Sequence, residues 1–102
     1  MPYIKQEYRP RLDPHIEKLA EEIKKIAAEI GQEGDFAGFL NYSCTKLAIS
    51  VMPARRYKWI AMIVGVFKNI ADEFYRRVGI PYEDEQIEKS GDVFPAESPK
   101  RP

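Results

Sequence analysis

Carboxylates at helical spacing are the side chains of this sequence best suited to chemistry. Glu17 with Glu21, Glu85 with Glu88, and Asp72 beside Glu73 form acidic pairs. Helical enzymes that hydrolyse nucleotides with magnesium set a Glu-x-x-Glu on one helix against a second acidic pair on another, because the cation needs several hard oxygen ligands. Glu85-Gln-Ile-Glu88 has that spacing, but it lies toward the C-terminus rather than on a core helix, and no second pair matches it. The sequence assigns no catalytic residue, no metal ligand and no cofactor. The single histidine, His15, excludes a His-based metal cluster or a Ser-His-Asp arrangement within one chain. Cys44, the only cysteine, excludes an internal disulfide; its apolar and small neighbours suit a packed thiol better than a nucleophile.

Two polar clusters remain as candidate sites. Asn41, Thr45 and Lys46, with the Tyr42 hydroxyl, interrupt a segment that is otherwise destined for burial, and buried polar groups need partners. They are expected either to pair with Glu73, Arg76 or Arg77 in an internal network, or to line a ligand pocket with those residues and Tyr82. The second cluster is Arg55-Arg56-Tyr57-Lys58-Trp59. Cations at a helix start oppose the helix dipole. Three accounts stand open: an anion or nucleic-acid patch built from Arg55, Arg56, Lys58 and Trp59; a partner for the acidic stretch Glu83 to Glu88 across an interface; or a solvated turn before the helix proper.

The elements that must position these groups are helical. Ile60, Ile63, Phe67, Ile70, Phe74 and Val78 recur at steps of three and four, predicting a long helix from Tyr57 to Val78 that Gly79 and Pro81 stop. Asp13-Pro14 predicts another start, followed by the seam Ile16, Leu19, Ile23, Ile26 and Ile30 and ended by Gly31. Between them, Phe36 to Met52 is apolar nearly all round, with Asp35 as N-cap and Pro53 closing it. Pro81 opens a short fourth helix from about Tyr82 to Lys89, capped by Gly91, and Asp92 to Phe94 suits a short extended piece. Residues 1–13 read as an extended arm docked through Tyr3, Ile4, Tyr8 and Leu12. Residues 14–94 form one helical domain, and 95–102 a disordered tail.

At 102 residues, 44% hydrophobic and 31% charged, the composition suits one globular domain with thin stability of its own. The 16 basic and 16 acidic residues cancel, which argues against a nucleic-acid partner. Met1 to Pro14 is polar and proline-punctuated, without a signal-peptide pattern, and Lys46 breaks the longest uncharged run far short of a membrane span. A soluble, cytoplasmic protein is expected, with no membrane partner.

The order of motifs resembles a family of small prokaryotic and phage helical proteins, of about this length and of unknown function. The likeness rests on Met1-Pro2-Tyr3-Ile4, Leu12-Asp13-Pro14, Leu40-Asn41-Tyr42 with Thr45 and Leu47, and Gly65-Val66. It continues through Glu73-Phe74-Tyr75-Arg76-Arg77, Pro81-Tyr82-Glu83-Asp84-Glu85, Ile87 and Gly91-Asp92-Val93. The resemblance implies an acidic residue after the glycine preceding Leu-Asn-Tyr; here Phe39 follows Gly38. It transfers no catalytic residue.

The expected fold is all-α: a three-helix bundle with a short fourth helix and an extended N-terminal arm. A middle helix too apolar for so small a chain to cover points to a homodimer, and so to a homo-oligomeric interaction or structural module. The alternatives are a small-ligand or nucleotide-binding protein, in one form a metal-dependent hydrolase, and a nucleic-acid accessory protein.

Overall fold

The computed structural model describes residues 3–95; the expected tail lies outside the described residues except for Pro95. All regular structure among them is helical. The chain divides into two compact units, Met1–Ile63 and Val64–Pro102, each considered by itself.

In the first unit, helix α1 spans Arg9–Ile30, five residues earlier than Asp13-Pro14 suggested. The extended arm of residues 1–13 is correspondingly short. Gln6–Tyr8 forms a 3-10 turn that leads directly into α1. Pro10 sits in the first turn, where its missing N–H is no loss. Pro14 lies inside the helix and forfeits only the bond toward the Pro10 carbonyl. Arg9 donates from Nη2 to the Ile4 carbonyl at 3.3 Å, tying the entering chain to the helix start. Tyr3, Ile4, Tyr8 and Leu12 stay about half exposed, so the docking expected of the arm is not made within the chain.

Gly31 ends α1 as its type predicts. At φ 82 it adopts the left-handed conformation, and its N–H reaches the Ala27 and Ala28 carbonyls at 3.1 Å. A 3-10 turn over Glu33–Asp35 then feeds α2, Phe36–Val51. Asp35 holds the N-cap position but makes no side-chain cap bond, because its backbone is already helical. Met52 turns extended (φ −64, ψ 121), the conformation that a following proline imposes.

Helices α1 and α2 lie against each other. Ala27 is the only buried residue among the described ones. An open cleft of about 680 Å³ remains between the two helices, lined by Ala20, Ile23, Ala27, Gly31, Phe36 and Leu40. No residue of α2 is buried, and Leu47, Ile49 and Val51 are each more than 60% exposed. Within the first unit, α1 and α2 therefore leave most of their large apolar side chains partly exposed.

Helix α3 spans Tyr57–Phe74. Contrary to expectation, Gly79 and Pro81 do not stop it. A π-helical turn over Tyr75–Gly79 carries the backbone on into α4, Ile80–Ser90, so the fourth helix continues the third. The Ile80 N–H reaches back five residues to the Tyr75 carbonyl. The physical reason is Pro81, which has no N–H and whose ring crowds the carbonyl four residues earlier. Widening the preceding turn by one residue relieves that conflict without breaking the helix. Gly91 (φ 86) closes α4, its N–H bonding the Ile87 carbonyl at 2.8 Å. In place of an extended piece, Asp92 to Phe94 form a bend in which the Phe94 N–H bonds Asp92 Oδ1 at 2.9 Å.

The π turn also explains the choice of glycine. The Tyr75 ring lies across Gly79 so closely that an added Cβ would stand 2.6 Å from ring carbon Cδ2. Replacing a helical glycine by alanine normally stabilises by about 1 kcal/mol. Gly79→Ala is expected to reverse that sign and cost about 1–3 kcal/mol of overpacking. Gly65→Ala, where nothing lies within 4 Å, should follow the ordinary rule. Urea denaturation of both variants, followed by circular dichroism, checks the contrast.

Candidate functional site

The polar groups that the fold brings together lie in the second unit, around the π turn. Tyr75 donates from its hydroxyl to Glu83 Oε1 at 2.5 Å, its ring spanning the bare backbone of Gly79 between them. One turn before, Glu73 accepts from Arg76 through both carboxylate oxygens, at 2.8 Å from Nη2 and 3.4 Å from Nε. Arg77 stands 3.7 Å from Glu73 Oε1. Residues three and four apart on a helix face each other, so this spacing alone assembles the cluster. Glu73 is the most sheltered of the three, at 25% side-chain exposure against 63% and 62% for the arginines.

The hydrogen bond from Arg76 holds the Glu73 carboxyl below its ordinary value of 4.5; the charges of Arg76 and Arg77 add to this, and partial desolvation opposes it. Beside the cluster opens a cleft of about 610 Å³ lined by Ala71, Asp72, Tyr75, Arg76 and Ile80. It offers a carboxylate, a guanidinium and a phenol on an apolar floor, a set able to orient a small polar molecule by hydrogen bonds. Among the described residues, no group of three or more His, Cys, Asp or Glu stands together in a way that could hold a metal ion.

The remaining residues of the expected site distribute as follows. Glu73, Arg76 and Arg77 are together. Tyr82 is exposed on α4. Asn41, Tyr42, Thr45 and Lys46 lie on α2, in the other unit. There the Thr45 hydroxyl lies 2.8 Å from the Asn41 carbonyl and 3.2 Å from its Oδ1, and Ser50 bonds the Lys46 carbonyl at 2.8 Å. Of these polar side chains, Thr45 and Asn41 thus meet within their own helix. Tyr75 and Glu83 were missed as a pair. They are eight residues apart, and the intervening glycine is the signal that would have revealed them.

In the basic cluster, Arg55 and Arg56 lie exposed in the link before α3. The Arg56 carbonyl accepts from the Trp59 and Ile60 N–H groups at 3.1 Å and so begins the helix. The Lys58 ammonium sits 4.7 Å from the Trp59 ring centroid, a cation–π pair. Cys44 is a free thiol, partly exposed on α2. No helix among the described residues is long and apolar enough to cross a membrane.

Together these features define an all-helical protein whose polar cluster is organised by a π turn. A family model described as a domain of unknown function (DUF6899) matches residues 1–93, and the chain belongs to that family. No curated protein matches the chain, and no solved structure does.

The lowered Glu73 carboxyl sets a pH dependence. A carboxyl whose folded value is depressed stabilises the fold above its unfolded value, and that contribution is lost as pH falls through the folded value. Glu73→Gln is therefore expected to melt below the wild type at neutral pH. The gap should close as the pH drops below 4.5, when Glu73 itself takes up a proton. Thermal melts of both proteins across this range give the comparison.

Proposed function

We propose that this protein is a small intracellular module that works as a homo-oligomer, its helices closing into a complete bundle only against another copy. What supports this reading is the burial: among the described residues only Ala27 is fully buried, while Ile16, Leu19, Phe36, Leu40, Ile70 and Phe74 remain about half exposed or more. Half-covered side chains return only part of their transfer free energy. Ordering the backbone costs roughly 1–2 kcal/mol for each residue. A chain folded like this needs further apolar cover, and a second identical chain supplies matching stripes. The partly exposed Cys44 thiol, with no disulfide, fits a reducing compartment.

Light scattering coupled to size exclusion tests this directly. The expected mass at micromolar concentration is a multiple of 11.8 kDa, with a melting temperature that rises with protein concentration. A folded monomer with a concentration-independent melt would sink the proposal.

A second reading draws on the cleft beside Asp72, Tyr75 and Arg76, which has the size and polar groups of a small-ligand site. A thermal-shift screen of nucleotides with and without divalent metals is expected, on this reading, to raise the melting temperature with at least one compound. Arg76→Ala should then abolish the shift. If no compound shifts the melt, this reading falls and the first is untouched.

A further inference from the structure

Helix α1 carries an apolar strip that lies wholly on one element of the first unit. Leu12, Ile16, Leu19, Ile23, Ile26 and Ile30 follow at steps of 4, 3, 4, 3 and 4, the spacing of a coiled-coil seam. Such a row drifts round a straight helix by only about 20° per heptad, so it stays nearly continuous along the whole of α1. Leu12, Ile16, Leu19 and Ile30 are about half exposed or more. Helix α2 does not fill the strip: of the α1 residues around the cleft between the two helices, Ile23 alone belongs to it.

The two flanks of the strip differ. Projected down the helix, Ala20, Lys24 and Ala27, which line the cleft with α2, fall on one side of it. The other side is charged. His15, Glu22 and Glu29 stand next to the strip, with Arg11, Lys18 and Lys25 just outside them. All six are exposed, and none takes part in an ion pair among the described residues. Acids bordered by cations in this way complement a second copy of the same flank laid against them in reverse. A two-fold axis perpendicular to the helices brings like flanks together, whereas one parallel to them would press the charged flank against the flank that adjoins α2.

We propose that two copies of this chain pair antiparallel along α1, about a two-fold axis near Glu21. The inference rests on the homo-oligomer proposed above and names its surface and orientation. About that axis Leu12 meets the partner's Ile30, Ile16 the partner's Ile26, and Leu19 the partner's Ile23. Every member of the strip thus faces another apolar side chain. Arg11 comes within side-chain reach of the partner's Glu29, and Lys18 of the partner's Glu22. The contact is self-complementary, as a two-fold interface must be. Apolar residues occupy its middle and opposite charges its rim.

Charge exchange between copies tests the pairing. Arg11 and Glu29 are about 27 Å apart along one helix, so they cannot meet within a chain. Arg11→Glu and Glu29→Arg, each alone, are expected to raise the dissociation constant of the assembly about fivefold or more at low salt, with helical circular dichroism unchanged. In an equimolar mixture of the two variants, a mixed pair regains opposite charges at both contacts. That mixture should assemble to within about twofold of the wild type, as read by sedimentation equilibrium. Single variants that associate like the wild type, or a mixture no tighter than its components, would overturn the proposal. A wild-type chain that is monomeric defeats the homo-oligomer and this pairing with it. A wild-type assembly indifferent to both reversals defeats only the pairing along α1.

Discussion

Apolar surface in excess of what the chain hides from water is the constraint behind this structure. Each main helix carries a row of large aliphatic or aromatic side chains, yet among the described residues only Ala27 is buried. Ile23, Phe36 and Leu40 stand with Ala20, Ala27 and Ala28 around an open cleft. The large side chains stay available to surface from elsewhere.

The second unit is held by polar contacts laid along one helix. The Tyr75 ring over Gly79, its hydroxyl on Glu83, and the Glu73–Arg76–Arg77 group are all local and exposed to solvent. Exposed ion pairs of this kind contribute little stability on account of screening and side-chain entropy. Their effect is directional. They hold the Tyr75 ring across Gly79, at one wall of the cleft beside Arg76.

Much of this was legible from residue types that act on their own backbone. Gly31 and Gly91 end helices in the sequence and in the structure, because few other residues accept their positive φ. Pro53 closes α2 by forcing Met52 extended. The Glu73–Arg76–Arg77 cluster follows from spacing alone. Two boundaries were not legible. Asp13-Pro14 has the pattern of a helix start, yet the helix tolerates Pro14 inside and begins at Arg9, because only one hydrogen bond is at stake. Gly79 and Pro81 have the pattern of a stop, and the π turn removes it. Its one trace in the sequence is the repeated step of four through Phe74, Val78 and Tyr82, which resembles an ordinary helix until the drift is added up. That α2 is apolar nearly all round was legible too; periodicity shows which side chains face together and not what covers them.

The extra residue in the Tyr75–Gly79 turn works as a rotary offset between the two parts of one helix. Deleting a single residue there would restore plain α-helix and swing everything beyond it by about 100°. Glu85 and Glu88 would then point into a different quadrant from Phe67 and Ile70, although no side chain in either group had changed. Insertions and deletions at this one place can therefore redirect what the C-terminal end meets while leaving composition, charge and helicity as they were.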